Sequence, residues 1–217
     1  MATKEIGMLF NDEMVRAIIR GDKTQTRRPI SCVDASFDER IIIKGHFFRT
    51  DGIYTPGDGS ICQPYPFSKL PDFCPFKVGD RIWVREAYRV QEFSFAPDLW
   101  CKVQCRADGS ERVIDGGRGA LYFNTKNPRA WMPSIHMPRA FCRLELEIEN
   151  IRAERVQEIS LDDALWEGLG NGDAYETHTD EFKSVWDAIY AARGLGWDVN
   201  PWVWVIEFCK VNQKAQA

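Results

Sequence analysis

A basic segment near the start of the chain contains residue types that could hydrolyse an amide. The segment GDKTQTRRPI holds Lys23, Thr26, Arg27 and Arg28 close together. Amide hydrolysis needs a nucleophile, a group that accepts its proton and a donor for the leaving amine. Like charges beside Lys23, together with burial, would favour its neutral amine, which could activate Thr26 or a water molecule. Arg27 and Arg28 are the candidates for binding a substrate, and Arg28 could hold a phosphate or an oxyanion.

The same basic segment also has a purely structural interpretation. A run of charged residues is usually a solvated face. Lys23, Arg27 and Arg28 would then lie in solvent or pair with the acidic strand at 143–149. Thr26 would be an ordinary β-branched residue of a strand.

The second segment that could carry chemistry is WMPSIHMPR, residues 131–139. Its histidine lies between two prolines, which restrict the backbone. Ser134, His136 and Arg139 could face one cleft, where a hydroxyl, a base and a cation would suit nucleotide binding or phosphodiester chemistry. Trp131 could stack on a base, an interaction worth roughly 1–3 kcal/mol. The alternative is a structural histidine in a proline-rich loop.

Several familiar catalytic motifs are absent from the sequence. It contains no G-x-S-x-G, no P-loop and no H-E-x-x-H, which disfavours the usual serine hydrolases, NTPases and zincins. The seven cysteines are scattered without a C-x-x-C pair, so we expect free thiols and neither a zinc site nor any other cofactor.

Composition limits the class of protein and of partner. The chain has 217 residues, 44% of them apolar, and a formal net charge of −4. We therefore expect one domain with a substantial core, and no tight binding to long duplexes. No apolar run approaches the roughly 18 residues of a transmembrane helix, and the N-terminus does not resemble a signal peptide. These features predict a cytoplasmic protein without a membrane partner.

The elements that would position these residues can be predicted from periodicity and caps. Asn11 or Asp12 would begin a helix that ends at Gly21. Ser160 and Asp163 form the S-x-x-D capping box of a second helix. Residues 91–130 are predicted to be irregular, with a weak strand at 120–123. The predicted helices are 12–20, 160–169 and 179–193, and the predicted strands are 41–49, 81–88, 141–156 and 201–211. Together they indicate one α+β domain with a curved or closed sheet.

Four of these segments, in this order, resemble the ASCH domain, a branch of the PUA-like superfamily. They are the basic motif GDKTQTRRPI, the strand VGDRIWVRE, the helix end ALWEG and the closing strand PWVWVIEFCKV. The chain is similar in particular to the larger ASCH-like proteins of bacteriophages and prophages, which also carry a segment like WMPSIHMPRAFCRLELEI. The resemblance implies a single PUA-like β-barrel with a few flanking helices, in which about 31–73 and 91–130 are inserted loops.

The resemblance also implies a ligand and a set of site residues. The ligand would be nucleic acid, a nucleoside or a modified base. Some small bacterial ASCH proteins are amidohydrolases that remove the acetyl group from acetylcytidine. Their site residues match Lys23, Thr26 and Glu167 here, which would serve as proton acceptor, nucleophile and proton donor. Alternatively, Glu167 is an exposed carboxylate at the end of a helix.

Three functions remain open at this point. The chain could be an amidohydrolase acting on a modified cytidine, a non-catalytic RNA- or DNA-binding module, or a ribonuclease that uses Lys23, His136 and Arg28. In each case we expect the partner to be a modified nucleoside or a short single-stranded nucleic acid. The oligomeric state does not follow from the sequence.

Overall fold

The computed structural model describes residues 3–30, 41–43, 46–49, 65–94, 100–115, 130–169 and 178–211. The chain divides into two compact units, each assembled from separated stretches. The first unit comprises Met1–Thr24, Gly79–Ile148 and Phe208–Ala217, and the second comprises Gln25–Val78 and Glu149–Glu207. The expectation of a single domain over 1–217 stays a prediction.

Strands and helices are mixed along the chain, as expected for the α+β class. The three α-helices are α1 (Asp12–Arg20), α2 (Leu161–Trp166) and α3 (His178–Tyr190). The first seven strands are β1 (Glu5–Leu9), β2 (Gln25–Pro29), β3 (Ile41–Ile43), β4 (His46–Arg49), β5 (Tyr65–Pro66), β6 (Arg81–Arg85) and β7 (Tyr88–Ser94). The other four are β8 (Trp100–Cys105), β9 (Glu111–Asp115), β10 (Glu145–Arg155) and β11 (Trp202–Lys210). Short 3₁₀ helices lie at Phe67–Phe73, Ser134–His136, Arg139–Phe141, Val156–Glu158, Ala191–Arg193 and Trp197–Val199.

Helix α1 of the first unit forms where its caps predict. The Asn11 side chain accepts a hydrogen bond of 2.8 Å from the backbone N–H of Met14, and this satisfies a donor of the first turn. Gly21 follows the helix with φ of +95°, a left-handed conformation that suits glycine. Val15 and Ile18 are buried on the inner face. The predicted helix at 12–20 is confirmed.

Strand β6 lies between β1 and the first part of β10 in the first unit. It pairs in parallel with β1 and antiparallel with β10, where Trp83 lies opposite Glu145. Because side chains alternate along a strand, one face of β6 presents Ile82 and Val84, both buried. The opposite, outer face presents the side chains Arg81, Trp83 and Arg85.

A separate sheet in the first unit consists of β7, β8 and β9, whose pairings are all antiparallel. Val90, Cys101 and Val103 from its inner face pack with Tyr88 and Phe141. The prediction that 91–130 is irregular is therefore wrong for the end of β7 and for β8 and β9. Their alternation is carried by cysteine and single valines between polar residues, which gives a weak apolar pattern. The predicted strand at 120–123 lies outside the described residues.

The core of the second unit lies between its helices and one face of β11. Strand β11 pairs antiparallel with β2, so that Val205 lies opposite Arg27. The core residues are Val156, Ile159, Ala164, Phe182, Trp186, Tyr190, Val203 and Val205. Helix α2 begins after Ser160, whose capping box with Asp163 is confirmed. The predicted strand at 41–49 is instead the antiparallel pair β3 and β4, which forms a small sheet with β5.

The sheets formed by the described strands are open. In the first unit β1 has one neighbouring described strand, β6, and in the second unit β2 has one, β11. The described strands thus do not form the closed barrel that the sequence suggests. The expected α+β class, however, agrees with the structure. None of the described helices has the length and apolar character that crossing a membrane requires.

Gly7 of β1 permits a close approach by Trp83 of β6. A Cβ atom at residue 7 would lie 2.5 Å from Cζ2 and 2.6 Å from Cε2 of the indole ring. These separations are shorter than any normal carbon–carbon contact, so a side chain at residue 7 would displace the ring. Glycine is therefore required for the indole to lie against β1.

We expect Gly7→Ala to lower the free energy of unfolding by roughly 1–3 kcal/mol, because the added methyl overpacks the strand pair. Urea unfolding measures this loss. In a Trp83→Ala background the same change should cost little, or even stabilise, because alanine is otherwise the better residue within a strand. An equal loss in both backgrounds would show that the indole ring is not the cause.

Candidate functional site

Arg27 is the centre of a buried ion-pair cluster in the second unit. Its side chain is 0% exposed. Nη2 lies 2.6 Å from Glu154 Oε1 and 3.0 Å from Asp163 Oδ2, and Nη1 lies 3.1 Å from Glu167 Oε1. The Phe182 ring covers the guanidinium, with 5.7 Å between Cζ and the ring centroid. The guanidinium is therefore enclosed by three carboxylates and an aromatic ring.

Three elements position these groups. Strand β2 supplies Arg27, β10 supplies Glu154, and the two ends of α2 supply Asp163 and Glu167. A second guanidinium completes the cluster, because Arg152 Nη2 donates to Asp163 Oδ1 at 2.8 Å. Arg152 also contacts Glu154 and Glu207, and Gln25 Nε2 donates to Asp163 Oδ1 at 3.1 Å.

The cluster favours the ionised form of Asp163. Burial by itself would raise the pKa of Asp163, but Arg27, followed by Gln25 and Arg152, lowers that pKa below its usual value. Among the described residues of the second unit, these ion pairs place two guanidiniums beside the four carboxylates of Glu154, Asp163, Glu167 and Glu207.

The position of Arg27 does not suit the substrate-binding role expected for it. A side chain without exposed surface, whose nitrogens already contact three carboxylates, cannot also reach a ligand in solvent. The alternative of pairing with acidic residues fits better. Its partners, however, are Glu154, Asp163 and Glu167 rather than the expected strand at 143–149.

Thr26 and Glu167, two of the three expected catalytic residues, lie on opposite faces of β2. Gln25 and Arg27 both contact Asp163 of α2, which places the odd-numbered side chains of β2 on the helix face. Thr26 lies between them and points to the other face. Glu167 lies on the helix face, paired with Arg27. Thr26 and Glu167 therefore do not form one pocket within the second unit.

The other two residues of the basic segment are placed differently. Lys23 belongs to the first unit, where it is buried. Arg28 is half-buried in the second unit, and its Nη1 lies 3.3 Å from the hydroxyl oxygen of Tyr190. The segment is thus largely enclosed, and the solvated face that was its alternative interpretation is not observed.

The second candidate segment, 131–139, lies on β7 in the first unit. Met132 and Tyr88 exchange two backbone hydrogen bonds, of 2.7 and 3.2 Å. The neighbouring Trp131 is 38% exposed, and the Arg89 guanidinium lies over its ring at 4.6 Å from the centroid. Arg89 Nε donates to Gln104 Oε1 at 2.7 Å, which fixes the guanidinium in place. An exposed indole is thus held in a defined orientation.

Two other predicted residues of this segment, Ser134 and His136, follow Trp131 closely along the chain. Ser134–His136 form a 3₁₀ helix, in which Ser134 is half-buried and His136 is exposed. The backbone carbonyl of His136 accepts a hydrogen bond of 3.2 Å from the Tyr88 hydroxyl. Trp131, Ser134 and His136 thus follow one another along one segment of the first unit, and Trp131 and His136 are exposed.

Arg139 ends the segment with its charge already compensated. Its Nε lies 3.0 Å from Glu5 Oε2, and it also forms an ion pair with Glu145. The hydrogen bond to Glu5 is the main reason that the pKa of Arg139 is raised above its usual value.

Sequence reasoning missed Arg85 and Arg89 as candidate site residues. Both lie next to the segment, since Arg85 Nη2 donates to the Ile135 carbonyl oxygen and Arg89 stacks on Trp131. The available signal was the alternation in RIWVR, which places Arg85 on the same face as Trp83. Within the described residues, no group of three histidine, cysteine or acidic side chains is arranged to hold a metal ion.

Comparisons with known proteins add little to this description. No family model and no curated protein matches the chain. Among solved structures, the crystal structure of protein EF3133 from Enterococcus faecalis V583, assigned to the family DUF984, is similar to it. The two chains are 10% identical with a TM-score of 0.43, over 100% of this chain and 83% of the other.

We expect Arg27→Ala to lower the free energy of unfolding by roughly 3–5 kcal/mol, because it leaves buried carboxylates without their cation. Urea unfolding at neutral pH measures this loss. The matched control is Arg193→Ala, which removes an exposed arginine and should cost less than about 1 kcal/mol. Similar losses for both variants would contradict the structural role of Arg27.

We expect the second unit to lose stability in acid partly through Asp163. Because its folded-state pKa is lowered, its contribution is fully present above the unfolded value of about 3.9 and is lost as the pH falls through the folded value. Thermal unfolding between pH 7 and pH 2 should show a shallower acid loss for Asp163→Asn than for the wild type. Asp198→Asn, a change at an exposed side chain, should keep the wild-type slope.

Proposed function

We propose that this chain binds an unpaired nucleobase, in a short single-stranded nucleic acid or a modified nucleoside, as a PUA-like protein of the ASCH type. The binding surface is segment 131–139 with the adjoining Arg89 of β7. The observation that carries this proposal is the exposed Trp131 ring, which Arg89 holds in place at 4.6 Å. The ASCH assignment rests on the four sequence motifs.

An oriented indole beside arginines suits recognition of single-stranded nucleic acid. Every base has an aromatic face, so stacking on tryptophan tolerates different sequences, and guanidinium planes add to it. Fixing the ring before binding reduces the entropy lost on association. His136 and Ser134 lie within the same segment and offer hydrogen-bonding groups for the edge of a base.

The arrangement of side chains on β2 favours the hypothesis of a binding module over that of an amidohydrolase. Amide hydrolysis by Thr26 and Glu167 would need both side chains in one pocket, and they lie on opposite faces of that strand. The ribonuclease hypothesis needs Lys23 and His136 together, but the lysine is buried and the histidine is exposed. A binding module requires neither pair.

We expect Trp131→Ala to weaken binding of a short fluorescein-labelled single-stranded RNA by about 5- to 150-fold, the range that corresponds to one stacked base. Fluorescence anisotropy at low ionic strength measures the affinity. The matched control is Trp166→Ala, since Trp166 is also an exposed tryptophan but lies on α2 of the second unit.

Added salt should weaken binding of the wild type only modestly, because few phosphates are contacted. Equal effects of the two tryptophan variants would place the base elsewhere, and absence of any binding would refute the proposal. A panel of acylated nucleosides, analysed by chromatography, tests the hydrolytic alternative: turnover that is lost in Lys23→Ala would restore it.

A further inference from the structure

We propose that Arg85 forms the phosphate-binding part of this surface, so that the ligand is a nucleotide or a phosphodiester strand rather than a free nucleoside. This inference rests on the proposed function, since it assigns the chemistry that lies beside the base.

The Arg85 guanidinium is fixed on the outer face of β6. Its Cζ lies 5.2 Å from the centroid of the Trp83 ring, and Nη2 donates to the Ile135 carbonyl oxygen. The indole in turn lies against Gly7, which leaves it no room to shift toward β1. The guanidinium therefore has a defined position before any ligand arrives.

Arg85 differs from Arg81 and Arg139 because no acid in the described residues forms an ion pair with it. Arg139 pairs with Glu5 and Glu145, and Arg81 lies 3.9 Å from Glu145. Arg85 forms no ion pair with any residue that the structure describes, and its Nε has no hydrogen-bond acceptor among them. Its charge is therefore not compensated by the described part of the chain.

An uncompensated arginine on a half-buried surface is suited to an oxyanion. Arginine stays protonated at all relevant pH values, so it cannot relieve the cost of burial by losing its charge. A phosphate compensates that charge, because its oxygens accept paired hydrogen bonds from the planar guanidinium. One carbonyl contact, to Ile135, leaves donors of the group available.

The short stretch of chain between the base platform and Arg85 allows one ligand to carry both groups. Arg85 binds the backbone at Ile135, and Trp131 precedes that residue by four positions, which is at most ~14 Å of chain. A base stacked on Trp131 would thus place the phosphates of a short single strand within reach of Arg85. This geometry points to a phosphate that is linked to the stacked base.

The test compares each of the four ribonucleosides with its 5′-monophosphate by titration calorimetry at low salt, with inorganic phosphate alone as a third probe. We expect the wild type to bind monophosphates roughly 10- to 100-fold more tightly than nucleosides, as one charge-assisted contact allows. Arg85→Ala should remove this preference without changing nucleoside affinity. Arg85→Lys should retain part of it, because the charge remains while the paired geometry is lost.

The matched control is Arg81→Ala, which changes an arginine on the same face of the same strand and should leave the preference intact. Equal affinity of nucleosides and monophosphates for the wild type, or an unchanged preference in Arg85→Ala, would overturn the inference. Either result leaves the proposed function standing if Trp131→Ala still weakens base binding.

The opposite failure is also distinguishable. If no nucleoside or nucleotide binds, but inorganic phosphate binds to the wild type and not to Arg85→Ala, then the anion site is real and the proposed base platform is wrong. Should Arg85→Ala fail to fold, as judged by circular dichroism, Arg85→Lys and the wild-type comparison decide the question.

Discussion

Burying a guanidinium obliges a fold to bring carboxylates to it, and the described residues of each unit contain an example. Arginine cannot become neutral in the interior, so its partners must be held at hydrogen-bonding distance. In the second unit Arg27 draws β10 and both ends of α2 around it. In the first unit Arg143 donates to both oxygens of the fully buried Glu86, at 2.7 and 2.8 Å. These pairings determine which charged groups are neutralised within the fold and which could interact with a ligand.

By position, this division distinguishes the arginines that stabilise the fold from those that we propose to bind a ligand. Arg27 is buried and Arg143 is largely buried, and both act on stability. Arg85 and Arg89 lie on outer strand faces beside an exposed indole, where their groups can meet a partner. The proposed binding surface thus depends on charges that the described part of the chain does not compensate, and the acidic balance of the whole molecule does not prevent a small local site from attracting an anion.

Local signals in the sequence were sufficient for the helices but not for the cluster. Asn11, Gly21 and the capping box at Ser160 act within one turn, so their effect can be predicted from neighbouring residues. The acids around Arg27 come from residues 127 to 140 positions away, and no local pattern identifies them. The faces of β2 also matter. In the sequence motif Thr26 lies beside Arg27. Because side chains alternate along a strand, these two neighbours nevertheless face opposite sides of β2.

Asp163 takes part both in a local helix cap and in ion pairs with residues that are distant in the sequence. Its carboxylate accepts the N–H of Ser160 as part of the capping box, and it also receives Arg27, Arg152 and Gln25. A helix as short as α2 has little stability of its own, so the cap and the ion pairs maintain it jointly. For sequence divergence this means that residue 163 has almost no neutral alternatives. Glutamate would carry the charge to the wrong place, and asparagine would keep the cap but lose the charge. Homologues that differ at residue 163 should therefore differ at residue 27 as well, so that substitutions at the two positions are correlated.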